Sequence, residues 1–287
     1  LQKIRGSKIA VDVSIWAYKA NNAKSIQNPY PIISFFGNMI CRFVAENIYP
    51  IFVFDGIPPK LKEITTDFRS NTRNNLEEDI KKLKNQIDEI KKKYFSEIIT
   101  NNDDEILCNY LVCELQKKEK WFNIKPSKQQ FDELQEFLCI LGFPCVCIDE
   151  HDAENVCAYL QRKGYVDYIM SKDSDSLIFQ KGDKIIYDYS NTSNILFYYD
   201  KEKILSSLKY TGTDNPIFKL RNLSILIGTD YNKQYKSGMG FKRCHDLTMN
   251  EKNEDLACML YEKFGELYFQ ILEELDFNFD NFITDFN

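Results

Sequence analysis

The sequence predicts an α/β protein in which a central, mainly parallel sheet is flanked by helices. Three observations predict this class. Short apolar runs alternate with stretches of helical periodicity in the first 60 residues and again after residue 126. Residues 60–125 contain no Gly and no Pro, and they are rich in Lys, Glu and Asn. This composition indicates a helical insertion. The last part of the chain carries helical patterns separated by turns, as expected of a helical lobe.

The first strands and helices alternate along the chain. Residues 8–13 form an apolar run that ends near Asp12, and residues 51–54 (IFVF) form a second run, closed by Asp55-Gly56. Between them, residues 16–20 and 32–46 have helical spacing. Because the connections are short, we expect parallel strands joined by helices.

The insertion at 60–125 carries one apolar seam. Its members recur at alternating spacings of four and three: Leu76, Ile80, Leu83, Ile87, Ile90 and Tyr94. This pattern predicts a long charged helix, and a surface helix packed on a neighbour would produce it equally well. We expect a break at 101–105 and a further helix at 106–117.

The remaining elements follow from capping signals, apolar runs and turn residues. Ser127 and Gln130 are spaced as a capping box at the start of a helix. The predicted helices cover 127–142, 152–163, 220–227, 242–247 and 254–275. The predicted strands cover 145–148, 165–170, 184–188 and 194–199, the last two as a hairpin.

The charge distribution suits a nucleic-acid partner better than the net charge of −6 suggests. Residues 253–287 hold nine acids and one lysine, so the rest of the chain carries a charge of about +2. Residues 201–252 hold ten Lys or Arg and five acids. A locally basic lobe therefore precedes an acidic end.

The nine cysteines and the absence of long apolar runs predict an intracellular protein in a reducing compartment. Most cysteines lie in apolar runs, so we expect buried free thiols. Cys145 and Cys147 could suggest zinc, but their alternation fits a half-buried strand better. The chain has no signal-peptide pattern, and because it begins at Leu1 we expect a fragment without its natural N-terminus.

Acidic residues end or follow most of the predicted strands. They are Asp12, Asp55, Asp152, Glu154, Asp173, Asp175 and Asp230. The carboxyl ends of parallel strands meet at one edge of a sheet, where these acids would repel one another unless cations lay between them. This number of hard oxygen ligands predicts Mg²⁺ or Mn²⁺. A pair of such ions can hydrolyse a phosphodiester.

Each of these acids, taken alone, could have a purely structural role. An Asp after a strand is often a helix cap or a turn former, and Asp152 or the Asp173-Ser174-Asp175 turn could be only that. A phosphatase of the haloacid type also uses an Asp at a strand end. It requires a second Asp two residues later, where this chain has Ser14.

Five segments together resemble the flap-endonuclease (XPG-like) family of structure-specific 5′ nucleases. They are KIAVDVSIWAY (8–18), YPIFVFDGIPPKLK (49–62), HDAENVCAYL (151–160), VDYIMSKDSDSLIF (166–179) and LIGTDYNKQYKSGMGFKR (226–243), in the family's order. The resemblance implies a PIN-like nuclease core in two parts, 1–59 and 126–200. It also implies a helical arch at 60–125 and a helix–two-turn–helix lobe at 201–287.

The resemblance implies two metal ions. Asp12, Asp55 and Glu154 would hold one of them. Glu154, Asp152, Asp173 and Asp175 would hold the other, with Asp230 acting through water. The family usually has Glu where Asp152 stands, so the shorter side chain could alter the second position.

The resemblance also implies DNA contacts. Lys62 and Arg69 match a basic pair at the base of the arch that stabilises the scissile phosphate. Tyr18 matches an aromatic on which a base stacks, although it could be only core packing. Gly238, Gly240, Lys242 and Arg243 match a turn that grips duplex phosphates, often with K⁺. An ordinary turn is the alternative, and an extra residue before Gly238 would change the K⁺ position.

The sequence therefore predicts a nuclease that needs a divalent metal and cuts DNA flaps, nicks or branched duplexes. A 5′ exonuclease, a junction resolvase and an RNA-cutting PIN-type nuclease remain alternatives within the same chemistry. A catalytically silent DNA-binding scaffold is the alternative from another class. We expect a monomer with no membrane partner, and the acidic end does not resemble a sliding-clamp peptide.

Overall fold

The computed structural model describes residues 1–22, 28–96, 102–179, 184–190, 195–232 and 238–276. Six strands form one sheet: β1 Lys8–Asp12, β2 Tyr49–Asp55, β3 Cys145–Ile148, β4 Tyr168–Met170, β5 Lys184–Ser190 and β6 Ile195–Asp200. The first helices are α1 Val13–Asn21, α2 Pro31–Ala45, α3 Glu63–Ser96, α4 Asn102–Asn123, α5 Lys128–Ile140 and α6 Ala153–Arg162. The later helices are α7 Lys201–Ser207, α8 Pro216–Ile227, α9 Phe241–Asn250, α10 Asn253–Phe264 and α11 Glu266–Leu275.

The sheet has the strand order β3-β2-β1-β4-β5-β6. All neighbours are parallel except β5 and β6, which form an antiparallel hairpin. The chain moves outward from β1 to β3 and then returns to the other side of β1 for β4. The point where the order reverses, between β1 and β4, is where open α/β sheets form their sites.

Helices cover both faces of the sheet, and the central strand β1 is buried on both sides. Its Ala10 packs in one apolar cluster, which includes residues of α6, α8, α10 and α11. Ile9 and Val11 belong to the opposite cluster, with residues of α1, α2 and α5. Apolar residues on both faces explain the continuous hydrophobic run of β1.

The long helix α3 packs against α4 along the apolar seam that the sequence predicts. Ile80 and Ile87 are buried, with exposed fractions of 7% and 4%. Ion pairs join the two helices from Lys84 to Glu119 at 2.7 Å and from Lys118 to Asp79 at 2.6 Å. The predicted long helix is thus confirmed.

The predicted capping box at the start of α5 is also present. The hydroxyl of Ser127 accepts a hydrogen bond from the backbone N–H of Gln130, and the side chain of Gln130 accepts one from the backbone N–H of Ser127. These two bonds satisfy N–H groups at the beginning of the helix that have no partner within it.

Several of the predicted element boundaries were wrong. The break expected at 101–105 is helical from Asn102, and α4 runs on to Asn123. The single helix expected at 254–275 is divided at Gly265, whose φ of 61° ends α10 before α11 begins. Strand β4 begins three residues later than predicted, and α7 was not predicted.

The expected burial of the cysteines was also wrong. All nine are free thiols, but only Cys157 and Cys244 are buried. Most of the others lie on the outer faces of helices. Apolar neighbours in the sequence therefore did not mean that a cysteine was buried. In the described part of the chain, no helix is long and apolar enough to cross a lipid bilayer.

A glycine allows the ends of β2 and β3 to approach closely. A Cβ atom on Gly56 would lie 2.4 Å from the carbonyl oxygen of Ile148, which is closer than Cβ atoms approach other heavy atoms in proteins. The backbone after Asp55 therefore lies directly against the end of β3.

Candidate active site

The acids at the strand ends lie along the carboxyl edge of the sheet. Asp12 and Asp55 are the last residues of β1 and β2. Asp152 is the N-cap of α6, which follows β3, and Asp173 begins the turn after β4. The parallel register brings Asp12 level with Val53 on β2, so these strands end side by side.

Asp12 lies at the centre of this edge and is 3% exposed. The hydroxyl of Ser171 donates a hydrogen bond to its Oδ2 at 2.8 Å. Burial, together with the nearby carboxylate of Asp55, raises the pKa of Asp12 to about 7. The chain therefore holds this carboxyl where its charge is poorly stabilised.

Asp55 takes over the capping of α6. Its Oδ1 accepts a hydrogen bond from the backbone N–H of Ala153 at 3.0 Å. Asp152, at the N-cap position itself, makes no side-chain capping bond. Its Oδ2 instead lies 2.8 Å from Nζ of Lys62 and accepts a hydrogen bond from the hydroxyl of Tyr231 at 3.1 Å. Asp152 is therefore more than a helix cap.

Glu154, in the first turn of α6, faces the same edge. Its Oε2 is buried and has no hydrogen-bond partner. Burial raises the pKa of Glu154 well above its ordinary value; Lys62 opposes this rise, and Asp173, Asp12 and Asp152 add to it. A buried acceptor without a donor suits a cation as its partner.

Asp173, Asp175 and Asp230 complete the cluster. Asp173 caps its own turn by accepting from the N–H of Asp175 at 3.0 Å. Burial and the neighbouring Asp173 raise the pKa of Asp175 to about 6, with Asp230 adding to the rise and Lys62 opposing it. The turn that carries Asp230 is held by Asn232, whose Oδ1 accepts from the N–H of Thr229 at 2.8 Å.

Lys62 lies among the carboxylates and is only 9% exposed. Burial opposes its charge, but Glu154 and Asp152 outweigh burial and raise the pKa of Lys62 above its ordinary value. Its Nζ also lies 4.8 Å from the ring centroid of Tyr231. Lys62 therefore stays charged in the middle of the acid edge.

The first turns of α3 are fixed to the same edge. The guanidinium of Arg69 forms an ion pair with Asp230. The hydroxyl of Thr65 donates to the backbone carbonyl of Asp230 at 2.7 Å. The start of the long helix thus brings both predicted basic residues, Lys62 and Arg69, to the acids.

Tyr18 lies half-buried on α1 near the acid edge. Burial raises the pKa of its hydroxyl, Arg73 and Arg69 oppose the rise, and Asp55 adds to it. These charges show that Tyr18 lies within electrostatic reach of the first turns of α3 and of Asp55.

The start of α9 carries the predicted phosphate-binding residues Gly238, Gly240, Lys242 and Arg243. In the part of the chain that the structure describes, none of them contacts the acids. Gly240 is the N-cap of α9, and Gly238 has a φ of 74°. All four residues are exposed. Residues 233–237, which complete the predicted turn and its K⁺ position, lie outside the described residues.

The donor set fits divalent cations, although the carboxylates are not drawn together around a single point. Among the described residues, no three Asp, Glu, His or Cys side chains form a ready metal-binding group. Burial raises the pKa values of Asp12, Glu154 and Asp175, and neighbouring carboxylates add to the rise. Mg²⁺ binds oxygen ligands and is favoured by negative charge. This edge offers both, and the buried Oε2 of Glu154 has no hydrogen-bond partner.

Several supporting residues were not predicted from the sequence. Ser171 holds Asp12, and Tyr231 holds Asp152. The amide of Asn155 donates to the backbone carbonyl of Glu274 at 3.0 Å, which ties α6 to the end of α11. Tyr231 could have been found because it follows Asp230 directly, whereas the contact of Asn155 joins residues 119 positions apart and has no local signal.

The last helix is also tied to the turn that carries Asp175. The Nε of buried Arg221, on α8, donates to the carbonyl of Ile178 at 2.7 Å. Its Nη2 donates to the carbonyl of Leu275 and to Asp276. The C-terminal helices therefore support both α6 and the turn after β4.

Comparisons with known proteins agree with this geometry. The XPG N-terminal domain matches residues 1–76, and the XPG I-region matches residues 142–230. Flap endonuclease 1 of Enterocytozoon bieneusi is 29% identical over 75% of this chain and 52% of its own length. Flap endonuclease 1 of Methanocaldococcus jannaschii is 23% identical over 93% and 75%. The chain thus spans about half the length of the first of these relatives.

Solved structures have the same fold. The catalytic core of Rad2 in complex with DNA substrate is 25% identical, with a TM-score of 0.59 over 99% of this chain and 78% of that one. Human GEN1 in complex with Holliday junction DNA is 20% identical, with a TM-score of 0.60 over 97% and 63%. The sheet with its acid edge, the two matching domains and these relatives lead to one conclusion: the chain belongs to the XPG family.

Proposed function

We propose that this protein is a metal-dependent nuclease that hydrolyses phosphodiester bonds of DNA near 5′ flaps or 5′ ends, where single and double strands meet. One observation carries the proposal. Acids from separate parts of the chain meet at one sheet edge, and burial and mutual repulsion raise the pKa of three of them, Asp12, Glu154 and Asp175. Such an arrangement is costly unless cations bind there.

Two Mg²⁺ or Mn²⁺ ions are the proposed cofactors. Asp12, Asp55 and Glu154 would hold one ion, and Glu154, Asp152, Asp173 and Asp175 the other, with Asp230 acting through water. When bound, a pair of such ions activates a water and stabilises the leaving oxygen of a phosphodiester. Support comes from the oxygen donors and from the buried Glu154 oxygen that lacks a hydrogen-bond donor.

Lys62 and Arg69 are the proposed catalytic cations of the chain itself. Lys62 is buried and stays charged, and its ammonium group already lies against Asp152. Once cations neutralise the acids, Lys62 would contact the scissile phosphate and stabilise the charge that develops on it. Arg69, whose side chain is 62% exposed, would hold the phosphate from the solvent side.

The family resemblance implies a Glu where this chain has Asp152, and two residues support the shorter side chain of Asp152. Lys62 and Tyr231 both contact its Oδ2, at 2.8 Å and 3.1 Å. We propose that the Tyr231 contact keeps the carboxylate in place for the second ion when Lys62 turns to the phosphate. Such supporting contacts commonly change metal affinity by about 10- to 100-fold when removed.

The rest of the chain would bind the substrate. In this proposal residues 1–59 and 126–200 form the nuclease core, and residues 60–125 form an arch around a single-stranded 5′ end. Residues 201–287 would hold the duplex, with phosphates at Gly238, Gly240, Lys242 and Arg243 and K⁺ at the same turn. The exposed N-terminus of α9 supports this role. Tyr18 would stack on a base beside the cut.

Junction resolution and 5′ exonuclease activity are second candidates within the same chemistry. Structures of the same fold include a Holliday junction complex of GEN1, which favours junction resolution as one of them. A catalytically silent DNA-binding scaffold is disfavoured, because it would not need acids whose burial and mutual repulsion disfavour their charge, as at Asp12, Glu154 and Asp175.

The test is a cleavage assay on labelled 5′-flap, nicked, four-way-junction and single-stranded DNA, with Mg²⁺ or with EDTA. We expect cutting only with Mg²⁺, and the strongest cutting on the flap. Asp175→Ala should abolish cutting and leave DNA binding intact, because Asp175 would hold metal and not DNA. The matched control is Asp132→Ala, an exposed acid on α5, which should cut normally. Cutting by Asp175→Ala, or equal loss of binding and cutting, would refute the metal-site assignment.

A further inference from the structure

A second group of basic residues lies at the same sheet edge and has no part in the proposed chemistry. Lys19 is on α1, and Lys172 lies between β4 and Asp173. Both converge on the carboxylate of Asp188, on β5. Nζ of Lys19 lies 2.6 Å from Oδ1 of Asp188, and Nζ of Lys172 lies 3.4 Å from the same oxygen.

Trp16 lies beneath both lysines. Nζ of Lys19 lies 4.9 Å from the centroid of its ring, and Nζ of Lys172 lies 5.9 Å away. The ring is fully buried, and its Nε1 donates to the carbonyl of Met170 at 3.2 Å. A fixed aromatic ring holds nearby cations in place without neutralising them.

The charges in this group do not balance. Two ammonium groups share one carboxylate, which leaves an excess charge of +1. Burial opposes the charge of Asp188, but the hydrogen bond and charge of Lys19 outweigh it and lower the pKa of Asp188, so the carboxylate is ionised. All three side chains are 35% exposed, so the surplus positive charge is open to solvent and to a ligand.

The position of the group relative to the acids suggests its ligand. Ser171 donates to Asp12, Lys172 follows it directly, and Asp173 comes next. Lys62 and Arg69 lie on the other flank, where they pair with Asp152 and Asp230. The acid edge therefore has positive charge on both sides, and a polyanion that crosses it would meet cations before and after the acids.

We propose that Lys19 and Lys172 form a second phosphate-binding position, which contacts the backbone of a DNA strand on the β4–β5 side of the cut. The position rests on the proposed nuclease function but does not take part in the bond cleavage. Trp16 lies under the two lysines, Asp188 offsets one of their two charges, and the lysines bind phosphate as point charges. This position would orient the substrate across the metal site.

The test measures the salt dependence of DNA binding, in EDTA so that no strand is cut. The probe is a fluorescently labelled 5′-flap duplex, titrated at KCl concentrations from about 50 to 200 mM. Each phosphate contact that is lost should reduce the slope of log K against log salt by about 0.7 to 0.9. The double variant Lys19→Gln/Lys172→Gln should therefore lose about 1.4 to 1.8 of the slope.

Two further variants separate DNA binding from a purely structural ion pair. Asp188→Asn removes the shared carboxylate, so it should tighten DNA binding and steepen the slope. If the ion pair only stabilised the fold, the same change would leave the slope unaltered. Lys8→Gln is the matched control, because Lys8 is exposed at the start of β1, at the opposite edge of the sheet from the acids, and its slope should equal the wild-type slope.

The outcomes distinguish this inference from the nuclease proposal. A wild-type slope in the double variant, or weaker binding by Asp188→Asn, would overturn the second phosphate position and leave the nuclease proposal standing. Absence of DNA binding and Mg²⁺-dependent cutting by the wild-type protein would overturn both. A reduced slope in the double variant, with a wild-type slope in the control variant, would support the inference.

Discussion

The acid edge of the sheet and the helix pair α3–α4 handle their charges in opposite ways. On the helices, acids face lysines across short distances, as in the pairs of Glu77 with Lys81 and of Asp79 with Lys118. The hydrogen bonds from these lysines lower the pKa values of both acids. At the sheet edge, burial and neighbouring carboxylates raise the pKa of Asp12 and Asp175 instead.

This difference separates charges that serve solubility and helix formation from charges that serve binding. On the helix pair, exposed acids are paired with lysines, so no ligand is needed to offset their charge. The sheet edge is an electrostatically unfavourable arrangement that a ligand would relieve. Natural proteins keep such arrangements where function needs them, at a cost in stability.

The largest expected effect follows from removing the cation at the centre of the acid edge. Lys62→Met should lower turnover by roughly 10²- to 10³-fold, since it deletes a fixed charge that would stabilise the transition state. The measurement is the single-turnover rate on a 5′ flap at saturating Mg²⁺. Lys60→Met is the matched control, because Lys60 is exposed in the same helical turn. Equal losses in both variants would show that Lys62 has no special position.

A stability experiment tests the same contrast with a smaller effect. Asp12→Asn should increase the free energy of unfolding in EDTA at pH 7.5 by on the order of 2 kcal/mol, because it removes a buried charge that its surroundings disfavour. Denaturant unfolding gives this value. With Mg²⁺ added the order should reverse, because only the wild type would bind the ions.

The control for this experiment is Asp79→Asn on α3. Its carboxylate is paired with Lys118, so its loss should not stabilise the protein. Destabilisation of the metal-free protein by Asp12→Asn would mean that the buried charge of Asp12 is already compensated.

The smallest expected effect is on pH dependence. The pKa of Asp12 is about 7 in the folded protein against an ordinary value of 3.8, so the folded state binds more protons than the unfolded state between these values. Stability of the metal-free protein should therefore fall as pH rises from about 4 through 7, and between pH 6 and 8 the fall should be on the order of 1 kcal/mol. Thermal unfolding in EDTA measures this fall. Mg²⁺ should raise Tm more at pH 8 than at pH 6, since ions and protons compete for the same carboxylates.

Local patterns predicted most of the fold and the positions of the acids. Strands β1 and β2, the long helix α3 and the capping box of α5 follow from periodicity and from signals a few residues apart. Because parallel strands end at one edge, the acids after them could be expected to meet. Fold class and acid edge were thus accessible from the sequence.

The contacts that hold the site could not be predicted in the same way. Asp55 caps α6 from another strand, 98 positions away in the chain, and Asn155 reaches Glu274 over 119 positions. Such contacts depend on how elements pack, which local periodicity does not encode. The division at Gly265 was missed for a related reason, since a helical pattern continues on both sides of one residue with positive φ.

Gly56 constrains any redesign of this edge. Exchanging an acid alters charge and leaves the backbone in place, whereas even a methyl group at position 56 would collide with the carbonyl of Ile148. The strand ends would then separate and carry Asp55 away from α6. For protein engineers, Gly56 is therefore harder to replace without moving the backbone than the carboxylates beside it.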